Sequence, residues 1–160
     1  LDCRDGYGGV KRVLLIEVDN ITSFTVVANV VTVVTKAVDK FFRQYNLIAF
    51  TGDGKSDNTH NRKEGTSEYK HTVMFPINKI TTSVSTEIGL LAQNRLYIIL
   101  EDNNGTYWLY GKDFGMMLET SAANLGVELK DRNGFNLTFG SSEKALPIEV
   151  SSSIITGLLS

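Results

Sequence analysis

Two Asn-Gly dipeptides, Asn104-Gly105 and Asn133-Gly134, each lie between short stretches rich in branched, aliphatic and aromatic residues. They narrow the fold more than any other feature of the chain. A two-residue hairpin turn needs positive φ at both central positions, and Asn and Gly tolerate this at least steric expense. Residues 95–101 are therefore predicted to pair with 106–111, and residues 127–130 with 135–139. In the second hairpin Val127, Leu129, Phe135, Leu137 and Phe139 fall on one face, and Glu128, Lys130, Asn136 and Thr138 on the other. A slip of one residue would exchange those faces, so the turn is expected to hold register.

The rest of the chain is consistent with strands. It has only 2 prolines against 14 glycines, and Val, Ile, Thr and Phe are abundant. Residues 11–18 form an apolar run closed by Asp19-Asn20, and 25–38 are rich in Val and Thr, whose branched side chains favour a pleated surface. Residues 41–50 and 68–77 alternate and are expected to be partners. Between them residues 51–67 lack any apolar side chain and read as a long polar loop. A helix is expected over 86–94, capped by Ser83 or Ser85, with Ile88, Leu91 and Ala92 at helical spacing. Residues 151–160 read as an extended tail carrying Ile154, Ile155, Leu158 and Leu159. The expected fold class is mainly β, a β-sandwich or curled antiparallel sheet with one short flanking helix, forming a single domain over residues 1–160.

Composition argues against several functions. The 16 basic and 18 acidic residues leave a formal charge of -2, and no basic cluster is placed to neutralise a row of phosphates. Cys3 is the sole cysteine, which rules out an internal disulfide and a Cys-based zinc site. The most apolar stretch, 21–34, is interrupted by Thr22, Ser23, Thr25, Asn29 and Thr32 and falls short of the ~20 residues that span a bilayer. No membrane partner is expected.

Catalytic motifs fare no better. Gly52-Asp53-Gly54-Lys55-Ser56 ends like a phosphate-cradling loop, but Ala49 stands where the first glycine belongs and a wholly polar stretch follows where an apolar helix should open. Asp53, Asp57 and Glu64 lack the ligand spacing of a calcium loop. His60 and His71 are the only histidines, too few to close a zinc site, and there is no nucleophile-elbow stretch. Glu101-Asp102 beside a turn serves conformation more naturally than proton transfer. Neither an enzyme nor a cofactor is expected.

Cys3 followed by Gly8-Gly9-Val10-Lys11 and a strand, then Gly111-Lys112-Asp113-Phe114-Gly115, then Gly126 and Asp131-Arg132-Asn133-Gly134-Phe135-Asn136-Leu137-Thr138, resembles small virion proteins of tailed bacteriophages, particularly those infecting Bacteroidota. In architecture the chain is most similar to the tail tube proteins of long-tailed phages. That resemblance implies a β-sandwich flanked by a helix, six copies per ring, inner strands closing a continuous barrel, and a long loop reaching an adjacent subunit or ring. Residues 51–67 would be that loop, with Asp53, Lys55, Asp57, His60, Arg62, Lys63 and Glu64 as its contact-bearing side chains. The family carries no catalytic residues. The partners implied are further copies of the chain, other tail or neck proteins, and DNA only in transit through a lumen. The implied location is the virion, with assembly in the cytoplasm of a bacterial host. Two other readings stay open: a neck, connector or tail-completion ring, and a carbohydrate-binding β-sandwich that stacks sugars on Tyr107, Trp108 and Tyr110.

Overall fold

A computed structural model describes residues 6–160; Cys3 lies outside them. The chain runs β1 (Val10–Glu17), a 3-10 turn (Val18–Asn20), β2 (Ile21–Val27), β3 (Val30–Lys36), β4 (Arg43–Asn46), β5 (Asp53–Asn61), β6 (Thr66–Asn78), α1 (Thr82–Leu91), β7 (Leu96–Asp102), β8 (Tyr107–Tyr110), β9 (Met117–Asn124), β10 (Gly134–Glu143), β11 (Ile148–Val150) and α2 (Ser152–Leu159). It is mainly β, with two packed sheets, as the sequence predicts.

The larger sheet has seven strands in the order β2-β3-β11-β8-β7-β1-β4, and the smaller has four in the order β5-β6-β10-β9. Among the described residues only the β11–β3 pairing is parallel. The central strands of the larger sheet are buried on both faces, and their sequences show it. Val13 and Leu15 of β1, with Ile98 and Leu100 of β7, point into the core between the sheets. Leu14, Ile16 and Ile99 point the other way, into a second core closed by Ile155 and Leu158 of α2 and by Phe42. A strand covered on both sides reads as a continuous apolar run, as Val13-Leu14-Leu15-Ile16 does.

The smaller sheet is covered on one side only. Val73, Phe75 and Ile77 of β6 and Phe135, Leu137 and Phe139 of β10 face the larger sheet and alternate with Thr72, Met74, Asn136 and Thr138 on the opposite face. Phe75 and Phe139 stack with ring centroids 5.7 Å apart at the centre of this core. Truncating either to Ala would be expected to cost about 3–5 kcal/mol. Ile88 and Leu91 of α1 add to the same core.

Several local expectations are corrected. Residues 51–67 are not a loop: 53–61 form β5, paired residue for residue with 66–74. A strand without apolar residues carries no periodicity to betray it, and here pairing with the amphipathic β6 supplies the order. The alternating 41–50 stretch does not pair with 68–77. Its strand, β4, joins the larger sheet beside β1, and meets β6 only across the core, where the Tyr45 and Phe75 rings lie 6.1 Å apart. The helix begins earlier than expected, with Thr81 as its cap: the Thr81 hydroxyl accepts from the Val84 amide at 3.2 Å. The tail is not extended. Its Ile and Leu side chains recur at helical spacing, and it folds as α2, whose Leu158 carbonyl accepts from the Phe42 amide at 2.9 Å.

The two Asn-Gly turns also differ from expectation. In the first, Gly105 alone has positive φ, at 80°, and its amide donates to the Asp102 carbonyl at 3.1 Å. This is a type I turn closed by a left-handed glycine, because the Asp102 carboxylate accepts from the Asn104 and Thr106 amides and fixes the intervening backbone. The second is not a turn at all. Val127 and Leu129 lie in a loop, β9 is supplied by Met117–Asn124, and Gly134 opens β10 opposite Asn124. The turn with two positive φ values falls at Ala28-Asn29, at 49° and 62°, joining β2 to β3 without a glycine.

Candidate assembly edges

The smaller sheet is antiparallel throughout, and its outer strands, β5 and β9, have no partner on their open sides among the described residues. Each is long for an edge strand, with 9 residues in β5 and 8 in β9. Each presents a row of backbone N–H and C=O groups to solvent. Neither carries the proline that often blunts such an edge.

Register places the side chains. Gly54 and Ser56 oppose Val73 and His71 and share their inward face, so Asp53, Lys55, Asp57, Thr59 and Asn61 point outward. On β6 the outward set is Glu68, Lys70, Thr72, Met74 and Pro76, and on β9 it includes Thr120, Ala122 and Asn124. Glu119 belongs to this face too, with its carboxylate lying over Gly140. Apart from Met74 and Met117 the open face is polar, and it sets Asp53, Asp57, Glu68 and Glu119 against Lys55, Lys70 and Arg132, whose guanidinium donates to the outward Asn136. Its two amines lie near carboxylates, with Lys55 3.8 Å from Asp57 and Lys70 3.8 Å from Glu119. A polyanion meets no cationic track here.

β5 and β6 continue past the ends of β9 and β10 as a two-stranded ribbon. β10 ends opposite Tyr69, and β9 begins one strand further out, at the level of Thr72. Beyond the end of β10 residues 59–68 are exposed on both faces. An isolated ribbon is marginal in water, and this one is braced locally. His60 Nδ1 shares a hydrogen bond with the Ser67 hydroxyl at 2.7 Å, the Asn61 side chain donates to Glu64 at 3.2 Å and accepts from the Lys63 amide at 3.1 Å, and Gly65 takes φ 67°. Arg62 and Lys63 stand at its tip. The side chains assigned to a contact loop thus lie on one edge strand and its turn, with Asp53, Lys55 and Asp57 outward, His60 inward in register, and Arg62, Lys63 and Glu64 at the tip.

The turn residues have structural partners. Asn104 and the backbone of Tyr7 exchange two hydrogen bonds of 3.1 Å, and the Asn103 side chain donates to the Gly8 carbonyl at 2.6 Å, so this turn holds residues 7–9. Asn133 accepts from Lys79 through its carbonyl at 2.7 Å and from Ile80 through its side chain at 3.1 Å, fixing the path from β6 into α1.

Buried polar groups are occupied in the same structural way. Glu143 accepts from the Asp113 amide at 2.8 Å, from the Phe114 amide at 3.3 Å and from the Ser141 hydroxyl at 2.5 Å. His71 donates through Nε2 to the Ala145 carbonyl at 2.9 Å while Nδ1 accepts from the Gly111 amide at 3.4 Å, and burial lowers its pKa. A cleft of about 760 Å³ opens beside them, also lined by Tyr69, Trp108 and Pro147. His71 and Glu143 are both held by backbone groups, and Lys112, Asp113, Lys144 and Glu149 also line the cleft. Among the described residues no group of three or more His, Cys, Asp or Glu side chains could hold a metal ion, and no helix is long and apolar enough to cross a membrane.

The three aromatics of β8 do not make a stacking platform. Tyr107 is buried in the core beneath α2, and Tyr110 in the core between the sheets, where burial first and the charge of Asp53 second push its hydroxyl up to about 12. Trp108 is half-buried and donates through Nε1 to Asp102 at 3.1 Å.

Compared with known proteins, the chain matches no protein family, no curated protein and no solved structure.

Proposed function

We propose that this chain is a structural subunit of a phage tail tube, assembling edge to edge into hexameric rings that stack around a lumen for the genome. One observation carries the reading. The smaller sheet is antiparallel, has an even number of strands, and leaves both outer strands bare. Its two edges therefore run in opposite directions, and β9 of one copy can pair antiparallel with β5 of the next, repeatedly and in the same sense. Head-to-tail pairing of this kind closes when the rotation per copy divides a full turn. The sheet then becomes a barrel without edges. The face turned away from the cores would line that barrel, and its acidic, polar surface suits DNA that must slide without adhering. The number of copies comes from the resemblance to tail tube proteins.

The ribbon of residues 59–68 favours a stacking tube over a neck or connector ring. It reaches beyond the sheet along the strand direction, where the next ring would lie. The test shortens it by removing residues 59–68 and joining Asn58 to Tyr69 through Asn-Gly. Negative-stain microscopy and light scattering over a concentration series should show tubes or stacked rings for the native chain. The shortened chain should give single rings with an unchanged melting temperature. Full-length tubes from the shortened chain would disprove the stacking role, and a native chain that never assembles would disprove the reading as a whole.

A further inference from the structure

The loop that follows β9 has an arrangement its own fold does not explain. Leu125, Val127 and Leu129 are 74%, 97% and 108% exposed, so three aliphatic side chains within five residues touch almost nothing. The backbone that presents them is nevertheless fixed. The Asp131 carboxylate accepts from the Val127 amide at 3.0 Å and the Glu128 amide at 2.9 Å. The Asp131 amide donates back to the Glu128 carbonyl at 2.9 Å, and Gly126 takes φ 81°. An apolar knuckle held in one shape and left in water is a contact awaiting its other half.

A second exposed apolar pair lies at the opposite edge of the same sheet. Ile48 and Phe50 are 59% and 83% exposed in the segment that leads directly into β5, and Phe50 itself has positive φ, at 62°. The knuckle follows the last residue of β9, and this pair precedes the first residue of β5. Antiparallel pairing always sets the end of one strand beside the start of the other.

We infer that Leu125, Val127 and Leu129 of one copy pack on Ile48 and Phe50 of the next, an apolar clasp that seals each β9–β5 junction. The inference rests on the edge-to-edge ring. The occupant is a second copy of this chain because strand polarity alone brings the two patches together, with no added assumption about their position. Facing Asn124 with Asp53 matches the two strands inward to inward and outward to outward. It sets Ala122 by Lys55 and Thr120 by Asp57, so no like charges fall directly opposite, and Glu119, the one acid beside Asp57, lies 3.8 Å from Lys70. Alanine at 122 and 123 keeps the β9 edge free of bulk.

Two variants test the clasp. In a Cys3→Ser background, Leu129→Cys and Phe50→Cys are combined in one chain and oxidised after assembly. Within one copy the two sites flank opposite edges of the sheet, ~14 Å apart at the usual strand spacing, too far for a disulfide. A ladder of covalent multimers is expected from the double variant, and nothing beyond dimers from either single one. The second variant is the triple Leu125→Ser, Val127→Ser, Leu129→Ser. It should keep the monomer's melting temperature and raise the concentration for half-assembly at least about tenfold. If the native chain assembles, no ladder forms and the triple variant assembles at the native concentration, the clasp is wrong while the ring stands. If the native chain stays monomeric throughout the series, ring and clasp fall together.

Discussion

Gly134 lies so close to Ile77 that a Cβ built on it would meet the Ile77 carbonyl oxygen at 2.3 Å and the Asn78 Cα at 3.1 Å. The glycine is required by the approach of two backbones where β10 starts alongside the end of β6, not by a left-handed turn. Gly134→Val should therefore force these strands apart and destabilise the chain by about 2–3 kcal/mol, read by urea unfolding. Gly105 offers the contrast, since nothing lies within 4 Å of its Cβ position and its φ is 80°. Gly105→Ala should cost ~1–2 kcal/mol, and Gly105→Asn less, because Asn tolerates that conformation. Equal losses for Ala and Asn at 105 would contradict a purely conformational role.

Stability should depend on pH through His71. Burial lowers its pKa in the folded state, opposed by the Ala145 carbonyl and by the charges of Glu143 and Asp113. The unfolded chain then binds a proton at a higher pH than the folded chain does. The stabilisation of the neutral ring is complete above the unfolded value of about 6.5 and is lost as pH falls through that value toward the folded one. Melting temperature should decline on acidification from neutrality, with protonation of Nδ1 also abolishing the bond from Gly111. His71→Gln keeps a donor and an acceptor but cannot titrate, and should flatten this part of the profile. An unchanged profile would remove His71 from the explanation.

Ser56 holds the one buried side-chain oxygen without a hydrogen-bond partner among the described residues. It sits inward on β5 opposite His71, whose nitrogens are already engaged. Ser56→Ala removes an unsatisfied hydroxyl and should raise stability by about 1 kcal/mol. A lower melting temperature would show that the hydroxyl has a partner after all.

The turn between β2 and β3 places Ala28 and Asn29 in the left-handed region, where alanine is strained. Replacing the pair with the favoured residues, Ala28→Asn with Asn29→Gly, should stabilise the chain by ~1 kcal/mol. Chemical denaturation of the double variant measures this, and a loss of stability would mean that Ala28 makes contacts outweighing its strain.

Much of the fold was legible in the chain. Val13-Leu14-Leu15-Ile16 and Ile98-Ile99-Leu100 announce strands covered on both faces, and the alternation in β6 and β10 announces strands covered on one. Residues 53–61 were illegible for a definite reason. An edge strand outside the core buries little, so selection leaves no apolar period in it, and its order comes from hydrogen bonds to β6. The apolar residues Val127 and Leu129 misled for the converse reason. Their alternation is that of a strand, yet the Asp131 carboxylate captures the Val127 and Glu128 amides and turns the backbone away from any ladder.

By itself, then, the sequence determined the β character of the chain and its buried strands, because these follow from local periodicity. Only the tertiary structure decided which strands share a sheet. It also decided that the four-stranded sheet ends in two bare edges of opposite polarity, and that the exposed apolar loops flank those edges. Pairing between distant segments depends on which faces the cores require to be covered, and no short window of sequence contains that requirement.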